Sequence, residues 1–238
     1  MTTDTLPQTI DVRSFATLGA ANHGWLDARH HFSFASYHDP QRMGWGSIRV
    51  WNDDTIAAGS GFPPHPHSDM EIITYVRTGA ITHEDSMGNR GRTGAGDVQV
   101  MNAGAGVTHS EWNAESEATT LFQIWILPRE RGGAPGWGMK PFPKADRSGS
   151  FQLLASGFGE PDALAIRADA RIFGATLSAG DSVTYDVGAG RHAYLVPTVG
   201  ALDIGGTLVN HRDGAALGGG TYTITATQDA EIVLVDAA

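Results

Sequence analysis

No cysteine occurs anywhere in the chain, which excludes disulfides, thiolate metal ligands and cysteine nucleophiles. Positive charge is scarce too: Lys and Arg number 16 against 26 Asp and Glu, a formal net charge of −10. A surface that binds phosphates needs a basic face, and no Lys/Arg run is present, so direct binding to nucleic acid is not expected. No apolar stretch reaches the roughly 18–20 residues that span a bilayer, so no membrane partner is expected. Residues 1–10 lack the charged start and apolar run of a signal peptide, and a cytoplasmic protein is the simplest reading. Long helical periodicity is missing throughout.

What the chain does contain is glycine, proline and short apolar runs. Its 238 residues are 41% hydrophobic, with 31 glycines and 11 prolines. That is enough apolar material for a core, and the breakers suit tight turns between short strands. Residues 1–8 read as a loose polar arm. Alternation over 46–51 predicts a strand, followed by a turn at Asn52-Asp53-Asp54. Strands are also expected over 71–77, 80–84 and 97–101, with turns at Thr78-Gly79, 87–91 and 94–96. The run 119–127, TTLFQIWIL, reads as a buried central strand. Proline, glycine and charge crowd 128–150, the best domain boundary. Strand signals return at 171–177, 182–187, 192–196, 207–210, 221–226 and 231–235. The expected class is all-β, with two successive units of similar size, most simply barrels or jelly rolls. The units are 1–130 and 151–238, with 131–150 as linker.

Two short patterns carry the chemistry: His65-Pro66-His67 and His109-Ser110-Glu111. Residues two apart on a strand point to the same face. Two such strands side by side aim three imidazoles and one carboxylate at one point. That set suits a divalent first-row metal. On a six-coordinate ion it leaves two positions for substrate and oxygen. With ten histidines in 238 residues, chance alone supplies about 0.4 His-x-His pairs, so the pattern gains its weight from context. Gly59 precedes His65 by six residues, Glu71 follows His67 by four, and Gly79 closes the next strand. Gly106 leads into His109, and Asn113 lies four residues beyond it.

Gly59…His65-x-His67-xxx-Glu71…Gly79 resembles the first cupin motif, with one extra residue before its last glycine. Gly106-xx-His109-xxx-Asn113 resembles part of the second, although Gly104 stands where that motif usually has proline. HGWLDARHHFSFASYHDP, HPHSDMEIITYV, HEDSMGN, NAGAGVTHSEWN and FQIWILP resemble the pirin family, especially its bacterial members with quercetin 2,3-dioxygenase activity. The resemblance is dense over 20–130 and thin beyond 150. It implies a bicupin of two tandem antiparallel β-barrels of jelly-roll type, with the metal in the first barrel; the second half has only the isolated His192 and His211 and is read as a barrel without its own metal. It implies His65, His67, His109 and Glu111 as metal ligands, the same four that the pairing argument selects. The implied ion is Fe(II), with nickel, copper, manganese and zinc equally suited to three nitrogens and one oxygen. The implied substrates are a flavonol and O₂, with loss of carbon monoxide.

In that reaction the flavonol 3-hydroxyl must lose its proton, and Glu111 is the carboxylate of the set that can take it. A Glu firmly bound to metal is a poor base, so Glu111 has to loosen or use its free oxygen. Glu71 occupies a position where many cupins place a carboxylate ligand, but the pirin pattern does not use it. It is read as a polar strand residue or a partner to a ligand. His83 and Asp85 are expected to face solvent or a hairpin edge. Packing and turn hydrogen bonds are the default for His30, His31 and His38, with a pocket role for His23 or His30 as the alternative. Phe34, Trp51, Phe62, Met70, Met101, Trp112, Phe122 and Trp125 are expected mostly in the core, a few of them lining a flat apolar pocket. Two other functions fit the same residues. One is a redox regulator that binds a protein partner through its metal state; the other is a cupin enzyme acting on another enol.

Overall fold

The computed structural model describes residues 10–238; the expected arm at 1–8 lies outside them. Twelve strands precede the Pro/Gly-rich stretch or lie in it: β1 (Ile10–Arg13), β2 (Gly19–Asn22), β3 (Leu26–His30), β4 (Ile48–Ile56), β5 (Ser60–His67), β6 (Glu71–Thr78), β7 (Ala80–Asp85), β8 (Arg90–Gly94), β9 (Val98–Asn102), β10 (Val107–Asn113), β11 (Thr119–Ile126) and β12 (Gly136–Lys140). Ten follow: β13 (Gln152–Ser156), β14 (Leu164–Ala165), β15 (Ala170–Leu177), β16 (Ser182–Val187), β17 (His192–Val199), β18 (Leu202–Ile204), β19 (Thr207–Val209), β20 (Gly214–Leu217), β21 (Gly220–Ala226) and β22 (Ala230–Ala237). Among the described residues helix is confined to two short 3₁₀ turns, Phe15–Thr17 and Lys144–Arg147. The class is all-β, and among the described residues no helix is long and apolar enough to cross a membrane.

Two compact units emerge. One comprises Gly19–Pro143 with Leu154–Asp169; the other comprises residues 10–18, 144–153 and 170–238. The chain therefore weaves between units instead of passing once through a linker. The stretch 131–150 itself holds β12, which pairs with β9. β1, from the start of the chain, pairs with β20.

The first unit has two open sheets, ordered β12-β9-β6-β11-β4-β3-β2 and β5-β10-β7-β8. Leu26, Ala28, Ile56, Val76 and Leu121 of the larger sheet meet Ile81 and Phe62 of the smaller one in a shared core. Each fully buried aliphatic there contributes about 1.5–3 kcal/mol. The second unit carries the ladder β1-β20-β17-β22-β15 and the sheet β16-β21-β18-β19, around a core that includes Leu195, Ile224 and Leu234. The ladders of the first unit's two sheets are antiparallel, whereas β13 and β14 pair in parallel.

The expected turn at Asn52-Asp53-Asp54 is instead the middle of β4. Asn52, Asp53 and Asp54 pair with Gln123, Phe122 and Leu121 on one side and with His30, Arg29 and Ala28 on the other. Partners for the side chains override the local turn preference. Asn52 accepts from His30, and Asp53 is bound by Arg77.

Candidate functional site

β5 forms the edge of the smaller sheet beside β10. Pro63, Pro64 and Pro66 have no N–H to offer, which an edge strand tolerates. His65 lies opposite His109, and His67 opposite Val107. Between His109 and Glu111 the register slips: Glu111 faces Phe62, so three steps on β5 match two on β10. This bulge lets Phe62 and His65 share the inner side despite their odd spacing. The two rings lie 6.1 Å apart.

One ring nitrogen from each of His65, His67 and His109 falls within 4.8 Å of the others. Burial, and then the neighbouring imidazoles, push the His109 pKa down to about 3 and that of His67 down to about 4. Neutral imidazoles are the form that binds metal.

Hydrogen bonds also fix which nitrogen is free. His65 donates from Nδ1 to the Pro63 carbonyl at 2.7 Å. Behind His109 stand His83 and Asp85. His83 Nε2 lies 3.1 Å from Asp85 Oδ2, and His83 Nδ1 lies 3.4 Å from His109 Nδ1. With Asp85 accepting the Nε2 proton, His83 Nδ1 is left as the acceptor for His109 Nδ1–H. The His109 Nε2 lone pair is then free, and that buried atom has no partner. Asp85 is itself held by Asn89 and by the Met87 N–H. The His83 ring stacks on Trp137 at 4.9 Å. The expectation that His83 and Asp85 face solvent is corrected: both side chains are fully buried. β7 lies between β10 and β8, so its inner residues meet the site. Three clustered imidazoles, those of His67 and His109 held neutral and the Nε2 of His109 buried without a partner, form a donor set that fits a divalent ion.

Glu111 lies on the same face of β10 as His109, but its carboxylate is not part of the three-histidine cluster. Its Oε1 accepts from Gln99 Nε2 at 2.7 Å and Thr74 Oγ1 at 3.2 Å, and its Oε2 accepts from Gln123 Nε2 at 2.6 Å. Burial raises its pKa to about 7 against the pull of these donors. It is thus poised to hold or release a proton near neutrality. Gln99, Gln123 and Thr74 were not legible as site residues, because each sits singly inside an apolar strand.

A cavity of about 320 Å³ opens beside this centre, walled by Trp25, Leu26, Ala28, Phe34 and Phe62. Gln123 and Phe62 border both the cavity and the polar centre. His23, His30, Asn52 and Asp54 add polar atoms to its lining. His30 is therefore both packed, with Nδ1 donating to Asn52 Oδ1 at 2.8 Å, and in the pocket wall. His31 is buried against Trp51 and His38 is exposed. Of the aromatics, Trp51 and Phe122 are core, Trp125 packs edge-on to His67 at 5.0 Å, and Trp112 is exposed. Glu71 is buried away from the histidine cluster. Its Oε2 accepts from the Arg167 N–H, its Oε1 has no partner, and burial raises its pKa to about 7.

Residues 11–126 match the family described as Pirin, and residues 153–237 match the quercetinase C-terminal cupin domain. A pirin-like protein of Caulobacter vibrioides is 63% identical over 231 residues, covering 96% of this chain and 100% of its own length. Quercetin 2,3-dioxygenase of Escherichia coli is 40% identical over 220 residues, covering 92% of this chain and 94% of its own. The crystal structure of the bacterial pirin YhhW from Escherichia coli in complex with nickel(II) matches with a TM-score of 0.91 at 38% identity, over 96% of this chain and 99% of that one. Alike in sequence and fold along nearly its whole length, this chain belongs to the pirin family.

Proposed function

We propose that this protein is a metal-dependent dioxygenase of the quercetin 2,3-dioxygenase type, with each sheet pair serving as one cupin barrel of a bicupin. The observation that carries the reading is the cluster of three imidazoles beside a largely apolar cavity, with the buried carboxylate of Glu111 on the same strand face as His109. The name of the Escherichia coli relative supports the flavonol substrate. In this reading His65, His67 and His109 hold the metal and Glu111 completes the set. When bound, the ion, Fe(II) here with nickel as the first alternative, supplies Lewis acidity toward the substrate oxygens.

The protein's own residues do the rest. Glu111 takes the proton of the flavonol 3-hydroxyl, which makes the ring electron-rich enough to meet oxygen. Gln99, Gln123 and Thr74 hold Glu111 in place and stabilise its charge between proton transfers. Phe34, Phe62 and Trp125 screen the site from bulk water. Dioxygen delivers one oxygen atom to C2 and one to C4, and C3 leaves as carbon monoxide. A headspace assay tests this directly: one carbon monoxide per quercetin consumed supports the reading, and quercetin loss without carbon monoxide points to simple oxidation instead.

A further inference from the structure

We propose that Asp54 is the specificity-determining residue of the 320 Å³ cavity, anchoring a hydroxyl group, other than the reacting one, of a planar, uncharged aromatic ligand. The inference rests on the cavity's serving the proposed dioxygenase, and it adds a residue that neither sequence motif contains.

Asp54 is 2% exposed, it lines the cavity, and its Oδ1 is buried without a hydrogen-bond partner. A buried polar atom left unsatisfied is costly, and a ligand hydroxyl that hydrogen-bonds this carboxyl removes the cost. Its neighbour Asp53 points to the opposite side of β4 and is bound by Arg77, so Arg77 does not occupy the Asp54 Oδ1. Burial, and then the negative charges of Asp53 and Glu111, push the Asp54 carboxyl well above the usual range. A neutral carboxyl both donates and accepts, which matches a phenolic hydroxyl.

The rest of the lining sets the ligand class. Trp25, Phe34 and Phe62 offer flat apolar surfaces, and the wall contains no Lys or Arg. Burial lowers the His30 pKa, so it offers no positive charge. An anionic ligand finds no counter-charge here. The volume lies at the small end of ligand sites, about 300–1,000 Å³, room for one aromatic group.

The test uses the full chain loaded with Zn(II), without oxygen, so that binding is read without turnover. Calorimetric titrations compare 3-hydroxyflavone, which carries only the reacting hydroxyl, with quercetin, which carries further ring hydroxyls. The wild type is expected to prefer quercetin at least tenfold. Asp54→Leu should compress that preference below threefold, and Asp54→Asn, which still donates and accepts, should keep it. Ala21→Phe, which fills the cavity from the rim strand β2, should weaken both ligands at least tenfold. It also keeps the idea testable if Asp54→Leu does not fold. An unchanged preference in Asp54→Leu, no preference in the wild type, or full affinity in Ala21→Phe overturns the proposal. Its failure is distinct from that of the dioxygenase reading, which is judged by carbon monoxide release and not by binding.

Discussion

Glu111 is the residue on which the chemistry turns, and its surroundings make a sharp prediction. Glu111→Gln should retain bound metal yet lose about 10²–10⁴-fold in turnover, because the base is gone. Metal content and quercetin consumption are measured on the same sample, and unchanged turnover contradicts the assignment. The variant also brings an amide NH₂ against the donor of either Gln99 or Gln123, at a cost of about 1–3 kcal/mol, so its melting temperature is read alongside. Behind His109, His83→Phe keeps the stack on Trp137 but removes the acceptor for Nδ1–H. Metal affinity by competition should fall about 10–100-fold; an unchanged affinity means the Asp85–His83–His109 chain does not orient the ligand. At this scale the imidazole pairs were legible in the sequence, because a period of two is a strong local rule. The carboxylate's partners were not, since Gln99 and Gln123 sit singly in the apolar strands before and after β10, and no local pattern marks them. His83 and Asp85 were seen as a pair but assigned to solvent, and only the position of β7 inside its sheet decides that.

At the scale of elements, Asn113 explains why the second motif ends where it does. Its Nδ2 donates to the carbonyls of Ile56, Ala57 and Glu117, and its Oδ1 accepts from the Glu115 N–H. It thereby ties the end of β10 to the end of β4. Asn113→Ala leaves buried carbonyls without donors and should lower stability by about 1–3 kcal/mol in denaturant unfolding; a change below half a kcal/mol contradicts this role. Gly61 serves the other strand. A Cβ there would lie 2.2 Å from the Glu111 carbonyl oxygen, so Gly61→Ala should displace β5 and weaken metal binding as well as stability. The strands 182–187 and 119–126 were readable from alternation and β-branched content. β4 was cut short because Asn-Asp-Asp is turn-like by itself, and only cross-strand partners keep it extended.

For the whole molecule, the buried titratable groups set how metal-free protein responds to pH. Glu71 and Glu111, with folded pKa values raised to about 7, keep protons that the unfolded chain has lost, so they lower stability as pH rises from about 4.5 to 7. His67 and His109, with lowered values, act oppositely: the unfolded chain gains their protons first, and stability falls as pH drops below 6.5. Glu71→Gln removes one of the two carboxyl contributions. The melting temperature of that variant relative to wild type should therefore increase between pH 5 and 7; a difference that stays flat or shrinks contradicts the raised Glu71 pKa. The all-β class was readable from composition, but the interweaving of β1 and of 154–169 was not, because no local pattern records which distant strand a segment joins.

The most direct measurement is loss of quercetin absorbance in air by full-length protein reconstituted anaerobically with Fe(II), beside metal-free protein and His65→Ala. The account predicts turnover by the reconstituted protein and none by the other two. No turnover by wild type shown to hold one metal per chain, or equal turnover in His65→Ala, would contradict it.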